Sequence, residues 1–168
     1  MRKNIKLSGK VVSGRSRSSE DISQSEERIN KIIGAKLYLG TLNLVLEKPI
    51  MLTVSQGHSF DDKRRYLWRV SGPDQSLPLY IYRWIGCPLH IVELISTVKL
   101  RTVHELNEGS TFQIGIDPDY VLPVSIEKYL AWFFLWKGRT SWYYKKETYK
   151  EKVYRCNRLR RLASQKRV

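Results

Sequence analysis

Cysteine is scarce in this sequence of 168 residues. Cys87 and Cys156 are the only two, and neither lies in a CxxC or CxxH pattern. Disulfide frameworks and structural zinc sites need more cysteines or closely spaced ligands, so the sequence indicates neither. We expect both thiols to pack among other side chains.

Long hydrophobic runs are absent as well. The longest candidate is residues 129–136, which are too few to cross a bilayer as a helix. The amino terminus has no apolar region typical of a signal peptide. We therefore predict no transmembrane segment and a cytoplasmic protein.

Acidic residues are few, and the unbalanced positive charge lies at one end of the chain. The sequence has 30 Lys and Arg against 16 Asp and Glu, a net charge of +14. Residues 137–168 hold 12 basic residues and only Glu147 and Glu151, a net charge of +10, which leaves +4 for the first 136. The hydrophobic content of 42% suffices for one compact core. We predict a domain at residues 1–124 and a basic, helical extension at residues 125–168.

The pattern of the first 124 residues predicts mainly short strands. Segments rich in β-branched and aromatic residues are separated by Gly, Pro and Asp. The segments are residues 4–14, 42–46, 50–54, 65–70, 79–84, 91–95 and 111–116. One helix is predicted from Ser23, with Ser23 and Glu26 as a capping box and Gly34 as its end. Many short strands and one helix predict a small closed β-barrel of the six-stranded type.

Polar and apolar residues alternate in the stretch from Gly40 to Leu46. In a strand, this alternation places Thr41 and Asn43 on one side, about 7 Å apart. A hydroxyl and an amide oxygen at this distance could share one ion or phosphate. The alternative is a half-buried strand whose polar face meets water.

Two other segments leave alternatives open. Residues 15–21 are polar, small and positively biased, so they could form a phosphate-binding loop or a flexible solvent loop. In the extension, one helix is predicted to open at Ser125 and a second to cover residues 148–163. The aromatic and basic residues of 137–168 fit helices that pack on the barrel, an anchor on an anionic membrane surface, or a nucleic-acid contact.

Three blocks, in order, carry a resemblance to a known family. They are Gly9–Gly14, then Ile33-Gly34 through Tyr38 to the Gly40-Thr41-Leu42-Asn43 motif, then Ile91–Ile95 followed by Lys99-Leu100-Arg101 and Glu108-Gly109-Ser110. Over residues 5–117 the chain resembles the archaeal CTP-dependent riboflavin kinases, small cradle-loop β-barrels that phosphorylate riboflavin to FMN. The Gly-Thr-Leu-Asn motif after a helix and a short connector is the most specific part of the match.

The resemblance implies an enzyme with a magnesium-assisted nucleotide site. Thr41 and Asn43 would bind Mg²⁺, and Glu93 would contact the flavin substrate. CTP would lie against two segments, namely Gly14, Arg15, Ser16, Arg17, Ser18 and Ser19, and Val98, Lys99, Leu100 and Arg101. Mg²⁺ suits such a site because it keeps several waters and takes phosphate oxygens as further ligands.

The sequence departs from the family pattern at several positions. The family's first loop is G-x-G-x-G, and here only the first glycine, Gly14, is present. A family threonine that helps bind flavin falls near Ile85. Four strand aromatics could stack on a flavin ring or fill the core, namely Trp68, Tyr80, Tyr82 and Trp84.

Two further hypotheses therefore stand beside a riboflavin kinase. The first keeps CTP as the donor and changes the acceptor to another alcohol, such as a sugar or a lipid-linked one. The second is a non-catalytic barrel that binds nucleic acid or an anionic surface through residues 137–168.

Overall fold

The computed structural model describes residues 3–14, 17–62 and 64–139, and all structural statements below concern these residues. The strands are β1 (Ile5–Val12), β2 (Leu42–Leu46), β3 (Met51–Leu52), β4 (His58–Asp61), β5 (Arg65–Ser71), β6 (Leu79–Trp84), β7 (Ile91–Ser96), β8 (Thr111–Ile116) and β9 (Val121–Leu122). The helices are α1 (Arg17–Ser23), α2 (Glu26–Ile33), α3 (Leu100–Val103) and α4 (Ile126–Leu135).

Six strands close into an antiparallel barrel in the order β5-β6-β7-β2-β1-β8. β5 returns to β8 through a short pairing of Val70 with Ile116 and Ser71 with Gly115. β4 pairs with β5, and β3 and β9 form a separate small sheet. The prediction of a mainly β protein with a closed six-stranded barrel is confirmed.

Alternate strand residues fill the barrel interior, because successive side chains of a strand face opposite sides of the sheet. On β2, Leu42, Leu44 and Leu46 are buried, whereas Asn43 and Val45 between them are half-buried. The inward-facing side chains of all six strands form one apolar cluster. The side chain of Asn43 therefore lies on the outer face of the barrel.

The helices α1 and α2 cover part of this outer face. A second apolar cluster joins them to the barrel, and its buried members are Ile22, Ile29, Leu37, Phe60, Leu67, Tyr80, Tyr82 and Ile95. Arg65 on β5 forms salt bridges with Asp21 of α1 at 2.9 Å and with Asp61 of β4 at 3.1 Å. These side chains are partly exposed, so packing contributes more than charge to holding the helices in place.

The N-terminal region holds two short helices, where the sequence predicted a polar loop and one helix from Ser23. The hydroxyl of Ser23 donates to the carbonyl oxygen of Glu20 at 2.8 Å, so this residue closes α1 and does not cap the next helix. α2 begins after Ser25. It ends at Gly34, whose left-handed backbone, with φ of 75°, confirms the predicted stop.

Two strands were not predicted, and one predicted strand is shorter than expected. β4 has only one buried residue, Phe60, and β9 has two residues in all. The predicted strand at residues 50–54 contains only β3 and continues into a 3₁₀ turn at Val54–Gln56. β4 depends on its pairing with β5, and β3 and β9 depend on pairing with each other, more than on a local sequence pattern.

The helix α4 opens as predicted, with the Ser125 side chain accepting a backbone hydrogen bond in the first turn. Trp132 and Trp136 pack on the barrel, against Val45, Trp84 and Ile91. Cys156 and the predicted helix at residues 148–163 lie outside the described residues. No described helix combines the length and the apolar character that a membrane span needs.

Two basic side chains are buried near the connection between β6 and β7. Arg83 is only 6% exposed, and its guanidinium donates to three carbonyl oxygens. These belong to Ile50, Pro88 and Ile91. Burial, helped by the nearby charge of Arg83, lowers the pKa of His90 to about 3. The imidazole of His90 is therefore neutral in the fold, 5.3 Å between ring centroids from Trp136.

Candidate functional site

Asn43 is the centre of the candidate site. On β2 it pairs with Val12 of β1 on one side and with Glu93 of β7 on the other. Residues directly opposite in antiparallel strands project from the same face. Asn43 and Glu93 are both half-buried, so the two polar side chains lie side by side on the outer face of the barrel.

Thr41 lies beside Asn43, as the alternation in the sequence predicted. The side-chain amide of Asn43 donates to the hydroxyl oxygen of Thr41 at 3.4 Å. Thr41 is also half-buried. The pair thus presents a hydroxyl and an amide, two uncharged groups with hard oxygen atoms, within one short stretch of chain.

Gly14 closes on this pair from the end of β1. A Cβ atom at position 14 would overlap the amide nitrogen of Asn43. The backbone of Gly14 can approach so closely only because glycine has no side chain. The structure therefore brings together the start of the predicted phosphate loop and the predicted metal ligands.

A small network fixes the chain just before Gly14. The terminal nitrogen Nη2 of Arg101 donates to the carbonyl oxygen of Val12 at 2.9 Å and lies 3.7 Å from the Glu108 carboxylate. That carboxylate accepts from the backbone N–H of Ser13 at 3.2 Å and from its hydroxyl at 2.6 Å. Arg101 therefore holds the end of β1 next to Asn43, in addition to any role toward a nucleotide.

The remaining residues of the first loop are placed only in part. Arg15 and Ser16 lie outside the described residues. Arg17, Ser18 and Ser19 form the first turn of α1, which is helical where a loop was expected. Of the predicted loop residues, the structure thus places Gly14 against Asn43.

The segment from Val98 to Arg101 has two kinds of side chain. Leu100 is buried and Val98 packs against the same barrel cluster, so these two side chains belong to the core. Lys99 is exposed immediately before α3, and Arg101 is half-buried in the network described above. Only the two basic side chains of this segment are accessible to a bound anion.

The acceptor side of the predicted site is formed by Glu93 and its neighbours. Glu93 pairs with Tyr82 of β6 as well as with Asn43. Burial raises the pKa of the Tyr82 hydroxyl, which the nearby Arg65 opposes and the Glu93 carboxylate reinforces. Tyr82 therefore stays protonated beneath α1 and α2.

The strand aromatics mostly fill the core. Trp68 lies in the barrel cluster, and Tyr80 and Tyr82 lie under α1 and α2. Trp84 is half-buried beside the α4 tryptophans. Ile85, near the position of the family threonine, is 61% exposed. Of the two alternatives for these aromatics, the structure bears out the core for Trp68, Tyr80 and Tyr82.

A cavity of about 350 Å³ lies at the opposite end of β1. Its lining includes Asn4, Arg69, Ser71 and Asp117, and none of the predicted site residues. Within the described residues, no group of three or more His, Cys, Asp or Glu side chains could hold a metal ion. Cys87, which lies between β6 and β7, is half-buried.

Sequence reasoning missed the roles of Ser13 and Glu108. The sequence shows each only as a member of a separate matching block, and the two residues lie 95 positions apart. No local pattern joins residues so far apart, although both flank glycines at strand ends.

The class that fold and geometry define is a closed antiparallel β-barrel with a polar cluster on its outer face. Neither a scan against protein-family models nor a search of curated proteins finds a match to the chain.

Proposed function

We propose that this protein is a Mg²⁺-assisted, CTP-dependent kinase with riboflavin as its leading acceptor. The observation that carries the proposal is the close approach of the Gly14 backbone to Asn43, with Thr41 and Glu93 alongside. A kinase of this kind needs a phosphate-binding backbone next to its metal ligands, because its catalysis is mainly positioning and electrostatics.

The donor groups fit Mg²⁺. Thr41 and Asn43 would hold it through their side-chain oxygens, which are the hard ligands that this ion prefers. At Gly14 a side chain would overlap the Asn43 amide, so the glycine leaves this amide in place beside the Gly14 backbone. When bound, Mg²⁺ neutralises phosphate oxygens and so favours transfer of the terminal phosphoryl group.

The chain's own residues would bind and orient the nucleotide. The backbone N–H of Gly14 would suit a phosphate oxygen, as in other phosphate-binding loops. Lys99 is exposed and would contact a phosphate as a cation, and Arg101 keeps the end of β1 in place. The terminal phosphoryl group would pass from CTP to the acceptor hydroxyl, with CDP released.

Glu93 would bind the acceptor. It is half-buried next to Asn43, so an acceptor that contacts its carboxylate lies close to the metal ligands. We assign it a binding role toward the substrate and no proton transfer.

The test is to incubate the protein with riboflavin, Mg²⁺ and each nucleoside triphosphate in turn, and to separate FMN from riboflavin. FMN should form with CTP. Replacing Thr41→Ala and Asn43→Ala together should lower the rate at least about 100-fold. The matched control is Thr111→Ala with Gln113→Ala, a pair on β8 with the same two-residue spacing and an exposed position.

A control pair that loses activity equally, or a site variant that unfolds, would remove the support for Thr41 and Asn43. Absence of FMN with every nucleotide would refute riboflavin as acceptor. Ile85 and the buried strand aromatics favour testing a second acceptor class in that case. Labelled phosphate transferred from CTP to another alcohol would then identify it, whereas no CTP binding by calorimetry would favour a non-catalytic barrel.

A further inference from the structure

The helix α4 has apolar residues on two opposite sides. One side, Trp132 with Trp136 just beyond the helix, is buried against the barrel. The other side is exposed to solvent. It consists of Ile126 (78% exposed), Leu130 (46%), Phe133 (42%) and Phe134 (73%), which we name the α4 stripe.

The spacing of the α4 stripe makes it one continuous surface. Its residues follow the i, i+4, i+7, i+8 pattern, which places them on one face of a helix. Scattered exposed apolar residues need no explanation, but a contiguous apolar face usually marks an interaction surface. The described residues leave this face uncovered, so a partner that covers it would be apolar at the contact.

Positive charge adjoins the α4 stripe. The ammonium group of Lys137 lies 4.3 Å from the ring centroid of Phe133, and Arg139 follows two residues later. The sequence from residue 137 to 168 has a net charge of +10. It also contains the aromatic run Trp142-Tyr143-Tyr144, residue types that favour the boundary between lipid headgroups and hydrocarbon. The partner must therefore be anionic as well as apolar.

We propose that α4 docks on the surface of an anionic lipid bilayer. The α4 stripe enters the boundary between headgroups and acyl chains, and Lys137 and Arg139 contact lipid phosphates. A nucleic acid matches the charge but offers no apolar phase for Ile126 and Leu130. This inference is independent of the proposed kinase reaction.

The test uses the full chain and sedimentation with lipid vesicles. Vesicles of phosphatidylcholine with phosphatidylglycerol should bind the protein, and vesicles of phosphatidylcholine alone should bind it much more weakly. Ile126→Ser with Phe134→Ser should weaken binding to the anionic vesicles about tenfold. Both side chains are exposed, so the fold should persist by circular dichroism.

The matched control is Val54→Ser with Val103→Ser, which removes exposed apolar side chains elsewhere on the barrel. It should bind vesicles as the native chain does. Native binding by the α4 variant would overturn the proposal, since attraction would then rest on charge alone. Preference for a single-stranded oligonucleotide over anionic vesicles, or a dimer that the α4 variant abolishes, would overturn it in favour of a nucleic acid or a second copy.

Discussion

Lowering the pH from about 7 to about 5 should destabilise this protein through His90. The imidazole is 1% exposed, and its pKa in the fold is about 3 against an ordinary value of 6.5. The unfolded chain therefore takes up a proton in this range that the folded chain does not. Stability linked to His90 is complete above the ordinary pKa and is lost as the pH falls through the window from 6.5 toward 3.

The size of the effect follows from the two pKa values. Between pH 7 and pH 5 the linkage relation gives a loss of about 2 kcal/mol in the free energy of unfolding. The result depends little on the exact pKa in the fold, because any value below about 4 leaves the folded imidazole neutral at pH 5. A change of this size is a large fraction of the stability of a typical domain.

Urea unfolding followed by tryptophan fluorescence can measure this loss, since Trp136 packs on the His90 ring. His90→Gln should reduce the difference between pH 7 and pH 5 by about 2 kcal/mol relative to the native chain. His58→Gln, at an exposed imidazole, is the matched control for losing a histidine. An unchanged pH dependence in the His90 variant, or an equal change in both variants, would refute the reasoning.

Two other substitutions test the candidate site and the stability of the fold separately. Gly14→Ala should displace the Asn43 amide by about 1 Å and lower the rate of riboflavin phosphorylation about 100-fold with an unchanged melting temperature. Full activity in a folded variant would show that the close approach is not needed. Arg83→Met leaves buried carbonyl oxygens without their donor and should lower the free energy of unfolding by about 3 kcal/mol in urea titrations. A loss below about 1 kcal/mol would mean that water replaces the guanidinium at little cost.

The barrel strands could be predicted from the sequence because apolar and polar residues alternate between neighbouring positions of a strand. In β2 the buried leucines alternate with less buried residues, and the same alternation marks Phe112 and Ile114 in β8. The helix α1 has no comparable signal. Its buried residue is Ile22, and its helical form depends on packing against the barrel. β4 likewise follows from pairing with β5, which no local pattern contains.

The candidate site was predictable to the extent that its residues are close in sequence. Thr41 directly precedes β2 and Asn43 lies on it, so the two-residue period of extended chain places them together. The position of Glu93 opposite Asn43 depends on the register between β2 and β7, which other strands of the chain separate in sequence. The contact of Arg101 with Val12 spans 89 positions and follows from barrel closure.

The short pairing of β5 with β8 makes the barrel a cylinder with one weak seam. If Val70 parts from Ile116 and Ser71 parts from Gly115, the strands form an open curled sheet with β4 and β8 at its ends. In that sheet β7 and β2, which carry Glu93 and Asn43, are inner strands, each paired on both sides. Thermal opening between β5 and β8 would therefore leave β7 and β2 paired with their neighbouring strands. The candidate site would keep its backbone hydrogen bonds when the barrel opens.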